Sequence, residues 1–178
     1  MQKYDFENSI GFIVNCTAKA FIKALDSELR KEVGITFGQW KVMVMLVNQN
    51  GMTQKEIADK LGLEGPTLIP IIDKMETEGL VVRKVDLHDR RNNRIYHTQK
   101  ARNLWNRMTS CALKVRKLAV KNIPDDKISD LTGVLKQMYE NLTFQNASIL
   151  TNELSPIENK FEKKIKVTNS IATINKII

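Results

Sequence analysis

Hydrophobic residues recur every three or four positions along most of this chain, the spacing that places them on one face of an α-helix. The first such pattern predicts a long amphipathic helix over Phe6–Glu32, which Gly34 ends. Thr36 with Gln39 three residues later forms a capping box, and an apolar helical run follows it through Val47. These patterns predict a mainly α-helical fold.

Two further helices follow within a short stretch of sequence. Thr53 with Glu56 forms a second capping box, and the helix that it opens ends at Gly62. Gly65 and Pro66 suit the N-cap and the first position of the next helix, which has an apolar stripe of its own. Two helices joined by so tight a turn form a helix-turn-helix motif.

The pattern then changes from helical spacing to short β-favouring runs. Leu80–Val85 and Arg94–His97 are such runs, and between them lie turn-forming residues and arginines that cannot be buried. A hairpin with a cationic tip beside two helices is a wing. We therefore predict a winged helix-turn-helix domain, with a small β-hairpin as its wing, over residues 35–98.

Longer helices are predicted after the hairpin. Thr98 caps a helix that continues to about Asn122, and Pro124 begins another. The segment Ser155–Ile178 has the start signals and the isoleucine spacing of one more helix. We expect this helix to dock on the others, because its apolar stripe would otherwise be exposed; the alternative is a loose basic tail.

The terminal helices, in residues 1–34 and 99–178, have too little apolar partner surface within one chain to form a large core. We therefore predict that they form a dimerisation region with a second copy of the chain. A two-fold symmetric protein matches a palindromic DNA duplex whose half-sites lie about one helical turn apart.

Positive charge is concentrated in and just after the hairpin. Residues 81–107 contain eight basic residues and two acids, which gives +6 of the net charge of +8 that the chain carries. Such a cluster suggests a phosphate-rich partner, either nucleic acid or an acidic membrane surface. No apolar run approaches the roughly 18 residues of a membrane span, and no signal sequence is recognisable. We therefore expect a cytoplasmic protein without a membrane partner.

Groups that carry catalysis or bind metals are few. Cys16 and Cys111 have neither metal-ligand spacing nor a neighbouring histidine. His88 and His97 lack a positioned nucleophile or carboxylate pair. We predict that the chain is not an enzyme and that it needs no metal or other cofactor.

The order of these motifs resembles the MarR family of winged-helix transcription regulators, with particular likeness to its SlyA and OhrR branches. The matching segments keep the family's order and spacing across residues 35–98. They are Ile35–Trp40, Thr53–Ala58, Leu61–Leu68, Met75–Val81 and Asp89–Arg91. The resemblance implies a homodimer whose first helix and last two helices form the dimerisation region.

The resemblance also implies how the domain would meet DNA. The helix from Pro66 to Glu78 would enter the major groove, and Arg91, with Asp89 two residues before it, corresponds to the wing arginine that reaches the minor groove. An extended cation at a hairpin tip also suits a narrow, strongly negative A·T-rich minor groove on physical grounds. The residues that we predict to contact DNA are Thr53, Gln54, Lys55, Gly65, Pro66, Thr67, Ile69, Lys74, Asp89, Arg90, Arg91 and Arg94.

Two positions depart from the family pattern. Pro70 stands where many members, the SlyA branch included, have an arginine, although the OhrR branch shares the proline. The outward face of that helix is therefore poor in hydrogen-bond donors, and we expect thymine methyl contacts, a polar contact from Thr67 and more recognition of DNA shape. The reactive cysteine of OhrR-type sensors would fall near Phe12, whereas Cys16 lies about one turn later, where a buried and inert thiol is expected.

These observations favour a dimeric, sequence-specific DNA-binding transcription regulator, a repressor or an anti-repressor, whose affinity a small molecule lowers. Family members often bind small aromatic or phenolic compounds between the dimerisation helices and the winged domain. Trp40 matches an aromatic residue at that crevice in SlyA-like proteins, and its alternative role is that of a core residue packing two helices. The alternatives for the whole protein are a thiol-based redox regulator, a non-specific architectural DNA-binding protein and a winged-helix module that binds proteins.

Overall fold

The computed structural model describes residues 4–86, 89 and 92–153. The helices and strands of these residues are, in chain order, α1 (Ile10–Glu32), α2 (Phe37–Asn48), β1 (Met52–Thr53), α3 (Gln54–Leu61), α4 (Gly65–Thr77), β2 (Val81–Val85), β3 (Asn93–His97), α5 (Gln99–Ala119) and α6 (Asp125–Glu153). The predicted mainly α-helical, winged fold is confirmed. The chain divides into two compact units at the junction of Arg116 and Lys117.

Two helices of the first unit begin where the sequence places capping boxes. In α2, the Thr36 hydroxyl accepts a hydrogen bond from Gln39 N, and Gln39 Oε1 accepts one from Thr36 N at 2.8 Å. Thr53 and Glu56 form the same reciprocal pair at the start of α3. Both predicted capping boxes are confirmed, and each pairs two amide groups that would lack a partner within the helix.

α1 is shorter than predicted. It begins at Ile10 and not at Phe6, because the Ser9 hydroxyl accepts a hydrogen bond from Phe12 N and caps the helix there. The Phe6 ring packs against the Phe12 ring, with 4.7 Å between the ring centroids. The predicted apolar periodicity therefore begins about one turn before the helix itself.

The start of α4 differs from the prediction by one residue. Glu64 is the N-cap, so Gly65 and Pro66 take the first two helical positions and not the N-cap and the first position. A proline in the first turn costs no hydrogen bond, because the amides of that turn have no acceptor within the helix. The predicted helix start is therefore confirmed, but it lies one residue earlier than predicted.

The helices after the hairpin start where predicted. Thr98 caps α5 through its hydroxyl, and α6 begins directly after Pro124. α5 ends before Asn122, which has a φ of 63° and so cannot continue a right-handed helix. The helix predicted for Ser155–Ile178 lies outside the described residues.

The three strands form an antiparallel sheet in the order β1-β3-β2. β2 and β3 pair along their whole length, which confirms the predicted hairpin. β1 was not predicted; it pairs Met52 with Ile95 and Thr53 with Arg94. Because Thr53 is also the N-cap of α3, the sheet fixes where α3 begins.

The core of the first unit takes apolar side chains from each of its elements. The largest fully buried ones are Leu29, Met43, Leu46, Met52, Ile57, Leu68, Ile72, Met75, Ile95 and Met108. Full burial of a side chain of this size contributes about 1.5–3 kcal/mol, whereas an exposed ion pair contributes about 0–1 kcal/mol. The core, rather than surface charge, therefore holds α4 and the hairpin in place.

A glycine turn joins α2 to β1 beside the hairpin. Gly51 has a φ of 80°, in the left-handed region that favours glycine, and its N–H donates to Ile95 O at 3.0 Å. A Cβ atom at this position would lie 2.7 Å from Tyr96 Cε1. Both the backbone conformation and the neighbouring ring therefore disfavour any side chain at Gly51.

We expect Gly51→Ala to lower the free energy of unfolding by about 2 kcal/mol, because alanine disfavours the left-handed backbone and displaces the Tyr96 ring. Thermal unfolding followed by circular dichroism should give a Tm several degrees lower. Gly11→Ala in α1 is the matched control: an added Cβ there meets nothing within 4 Å, so its Tm should stay unchanged or rise slightly. An unchanged Tm for Gly51→Ala would contradict this account of the turn.

Candidate nucleic-acid interface

A groove of about 560 Å³ lies where α3, the start of α4 and the hairpin meet. Four residues that were predicted to contact DNA line it, and the hairpin adds Asn92. The four are Gln54, Lys55, Gly65 and Ile69. The structure therefore brings together three segments that were proposed separately from the sequence.

The first turn of α3 presents polar side chains to this groove. Lys55 is exposed, whereas Thr53 and Gln54 are half-buried. The Thr53 hydroxyl already accepts a hydrogen bond from Glu56 N at 3.2 Å, so what it can offer to a ligand is its own hydrogen. Lys55 is the cation that this turn offers to a phosphate.

α4 has a buried apolar face and an exposed face. Leu68, Ile72 and Met75 of its predicted apolar stripe are buried, and Ile71 is half-buried. Ile69 keeps 48% of its area exposed. The other exposed residues of this helix include Pro66, Thr67, Pro70, Asp73 and Lys74. The outward face therefore combines aliphatic side chains with Thr67, Asp73 and Lys74, and it has few hydrogen-bond donors, as predicted.

The N-terminus of α4 has no capping side chain. Glu64 makes no side-chain hydrogen bond to the first turn, and Pro66 has no N–H to be capped. This helix end opens into the same groove as Lys55. Because the N-terminal end of a helix carries partial positive charge, it adds to the attraction of Lys55 for an anion such as phosphate.

Two carboxylates of α4 bind one arginine of the hairpin. The Arg83 guanidinium donates hydrogen bonds to Asp73 and to Glu76, and Arg83 N donates to Glu76 Oε1 at 3.1 Å. The sequence pattern did not single out Arg83, because its partners become visible only when β2 is placed against α4. Arg83 therefore joins the candidate site through its contacts with two carboxylates of α4.

Arg94, which was predicted to contact DNA, lies at the base of the hairpin. Its Nε donates to Asp86 Oδ2 at 2.6 Å, and its Nη1 donates to Gly51 O at 2.9 Å. Asp86 is only 5% exposed. Arg94 thus links the two ends of the hairpin to the turn before β1, and its contact with DNA stays a prediction.

The tip of the hairpin is described only in part. Asp89 is half-buried and accepts a hydrogen bond from Asn92 Nδ2 at 3.0 Å, while the Asn92 amide donates to Asp89 O at 2.9 Å. Arg90 and Arg91 lie outside the described residues. Insertion of the wing into the minor groove therefore stays a prediction.

Trp40, the candidate ligand contact, is 3% exposed and stacks on Trp105 of α5. Their ring centroids lie 5.2 Å apart with 17° between the ring planes. This geometry is typical of core aromatic residues that join two helices. A direct role of Trp40 in ligand binding stays a prediction.

The two cysteines have different surroundings. Cys16 is exposed, so its expected burial is wrong for the single chain, because the buried face of α1 begins only at Leu25. Burial raises the pKa of the Cys111 thiol, and the nearby Glu28 and Glu32 carboxylates raise it further. Since the thiolate is the reactive form, Cys111 is poorly suited to redox sensing.

Two findings limit other kinds of site within the described residues. Their His, Cys, Asp and Glu side chains form no group of three or more that could hold a metal ion. Their helices include none that is long and apolar enough to span a bilayer.

We expect Arg94→Ala to lower the free energy of unfolding by about 1–3 kcal/mol, because it removes a hydrogen-bonded partner from the nearly buried Asp86; partial exposure of Arg94 favours the lower end. The measurement is thermal unfolding at neutral pH. Arg102→Ala is the control: the Arg102 guanidinium donates to Gln99 within α5, so its loss should leave Tm nearly unchanged. Equal melting of both variants would show that Arg94 does not hold the hairpin base.

Comparison with known proteins finds a family whose model matches the central residues of the chain. Residues 35–92 match the model of the MarR family. HTH-type transcriptional regulator TtmR of Methylorubrum extorquens (strain PA1) is 33% identical over 102 residues, which are 57% of this chain and 52% of that protein. The chain therefore spans about half the length of this curated relative.

Several solved structures share the fold. A MarR transcriptional regulator from Methanosarcina mazei Go1 has a TM-score of 0.68 and 26% identity, covering 74% of this chain and 94% of that one. The transcriptional repressor CouR, solved with a 23-mer DNA duplex, has a TM-score of 0.69 and 21% identity, covering 78% of this chain and 99% of that one. CouR from Rhodococcus jostii RHA1, solved with p-coumaroyl-CoA, has a TM-score of 0.66 and 23% identity, covering 76% and 95%.

Proposed function

We propose that this chain, whose residues 35–92 are a MarR-family winged helix-turn-helix domain, is a DNA-binding transcription regulator that acts as a homodimer. The groove in which Lys55, the start of α4 and Asn92 converge carries the proposal. This concave surface combines a cation, a helix N-terminus and a hairpin with two carboxylates, those of Asp59 and Glu64. Lys55 and the start of α4 are the parts of it that suit a DNA phosphate.

In the proposed complex, α4 enters the major groove. Ile69 and the two prolines of the outward face contact thymine methyl groups, while Thr67 makes a polar contact with a base edge. Lys55 and Arg90 bind phosphates, and Arg91 reaches the minor groove of the flanking A·T-rich sequence. Half to two-thirds of protein–DNA hydrogen bonds go to phosphate and sugar, so such an interface need not contain many base contacts.

The terminal helices are proposed as the dimerisation region, in residues 1–34 and 99–178. Large apolar side chains are exposed at helical spacing on α1 and, separately, on α6. On α1 they are Ile10, Ile13, Val14 and Ile22, and on α6 they are Leu131, Val134, Leu135, Tyr139 and Leu142. In water-soluble proteins, exposed apolar side chains grouped along a helix mark an interface. A two-fold dimer would present two copies of α4 to a palindromic operator.

We further propose that a small aromatic or phenolic effector lowers the DNA affinity. The stacked Trp40 and Trp105 lie between α2 and α5, so a compound that displaced one ring would shift the winged domain relative to α5. Binding of p-coumaroyl-CoA to CouR supports this class of effector by analogy alone. A regulator of this kind has no enzymatic role and acts in the cytoplasm.

Two alternatives are less well supported by the site. A redox regulator needs an accessible thiolate, and the buried Cys111 has a raised pKa. Cys16 is exposed but lies about one turn after the position of the reactive cysteine in OhrR-type sensors, so redox sensing through Cys16 stays a prediction. A non-specific architectural protein would bind all duplexes with similar affinity, mainly through phosphate contacts. The aliphatic side chains on the outward face of α4 cannot make such contacts, so they do not favour this alternative. A preference for one DNA sequence therefore distinguishes a transcription regulator from an architectural protein.

The purified protein should select a palindromic motif from a pool of random duplexes, because two symmetric recognition helices read two half-sites. We expect its affinity for the selected duplex to exceed that for a scrambled duplex by about 10³-fold or more. Fluorescence anisotropy at fixed salt measures both affinities. Equal affinities would reject a sequence-specific regulator in favour of an architectural protein.

In the same titrations Lys55→Ala should weaken binding to both duplexes and reduce the slope of log affinity against log salt by about one unit, as loss of one phosphate contact predicts. Lys60→Ala is the matched control, because Lys60 lies on the same helix but donates to Gln49 Oε1 at 2.8 Å. It should leave the affinity close to that of the unmodified protein.

Light scattering at micromolar concentration should give about twice the chain mass of 20.4 kDa. The physical reason is the apolar surface of α1 and α6, which association would remove from water. Leu135→Glu on α6 should shift the protein toward monomers, since Leu135 belongs to that exposed apolar set. A folded monomer of the unmodified chain would remove the basis for palindromic recognition.

A further inference from the structure

The outward face of α4 carries a carboxylate in line with the proposed base-contacting residues. Asp73 lies four residues after Ile69 and seven after Pro66, so the three share one side of the helix. Glu76 follows one turn later, and the side chains of Asp73 and Glu76 are 56% and 40% exposed. Phosphates on both sides of a DNA groove would repel these two negative charges.

One arginine binds both carboxylates. Arg83 donates through Nη2 to Asp73 and through Nη1 to Glu76, while its own side chain is only 20% exposed. Partial burial acts to lower the pKa of the guanidinium, but its hydrogen bonds to the two carboxylates raise the pKa above its ordinary value. The planar fork of an arginine suits this two-point contact, which a lysine could not make.

The remaining charges on this part of α4 nearly cancel. Lys74 Nζ lies 3.8 Å from Glu78 Oε1. The three acids and two bases of the cluster therefore sum to −1, and loss of Arg83 would change the sum to −2. Arg83 thus halves the net negative charge that this end of the helix would bring toward DNA.

We propose that Arg83 is a positioning residue for DNA binding, which screens Asp73 and Glu76 from the DNA phosphates so that α4 can approach the groove. This inference rests on the proposed function, because it requires α4 to face DNA. The Asp73 and Glu76 side chains keep 56% and 40% of their area exposed, and charges within the Debye length of about 10 Å act directly on a phosphate backbone. Because Arg83 is largely buried and binds two carboxylates, it also supports the packing of the hairpin on α4, and the variants below separate that role from screening.

Neutralisation of the two neighbouring carboxylates provides the test. Arg83→Met should weaken binding to the selected duplex about fivefold near 0.1 M salt, with a smaller effect at higher salt, because two carboxylates become unscreened. The triple variant Arg83→Met, Asp73→Asn and Glu76→Gln should recover to within about twofold of the unmodified protein, because no charge is left to screen. Recovery separates screening from the other roles of an arginine.

Two other roles predict a different result. If Arg83 bound a phosphate directly, or if it mainly tethered the hairpin to α4, the triple variant would bind as weakly as Arg83→Met, and the inference would be overturned. Circular dichroism melting of each variant confirms that it is folded. Arg30→Met is the matched control, because it removes an arginine from an Arg–Asp pair with Asp26 on α1 and should leave DNA affinity unchanged.

A further variant keeps the test decisive if Arg83→Met does not fold. Asp73→Asn with Glu76→Gln, in the presence of Arg83, should bind DNA at least as tightly as the unmodified protein, and weaker binding would overturn the inference. Failure of the unmodified protein to prefer any duplex would reject the proposed function and the inference together. Sequence-specific binding without recovery in the triple variant would reject only the role of Arg83.

Discussion

The pairing of β1 with β3 is the constraint on which the arrangement of the winged domain depends. Thr53 is the last residue of β1 and the N-cap of α3, so its pairing with Arg94 fixes where α3 leaves the sheet. Gly51 adds a second link, because its carbonyl accepts a hydrogen bond from the Arg94 guanidinium. This two-residue strand ties α3 directly to the hairpin, in addition to the packing of both on α2, and so helps to place Lys55 and Asn92 on one groove.

The buried side of α4, opposite its outward face, sets the orientation of the helix. Leu68, Ile72 and Met75 are buried in the core, where close packing opposes any rotation of the helix. The far end of the helix is held by a buried amide, since Gln39 Nε2 donates to Glu78 Oε2 at 2.6 Å. The outward side chains of α4 are therefore presented in a defined direction, although few of them are hydrogen-bond donors.

How much of the fold and of the interface the sequence predicts depends on the range of the interactions. The capping boxes at Thr36 and Thr53 and the buried face of α4 require only residues within two or three turns of each other, and the structure confirms them. β1 has two residues, too few to show a strand period. The partners of Arg83 and Arg94 depend on how the hairpin packs, which no local pattern specifies. Lys55 belongs to a local motif, the capped first turn of α3, and the structure places it on the groove, while its contact with DNA stays a prediction.

The charge cluster of residues 81–107 is less free than its net charge of +6 suggests. Each of its cations in the described residues has a partner within the protein: Arg83, Lys84, Arg94, Lys100, Arg102 and Arg107. When one of these cations exchanges its partner within the protein for a phosphate, the free energy lost with the old contact offsets part of the free energy gained from the new one. The cluster still produces a positive field that attracts DNA from a distance. In the proposed complex, close contact falls to groups outside these pairs, such as Lys55 and the start of α4. Net charge therefore indicates a class of partner but not the residues that would touch it.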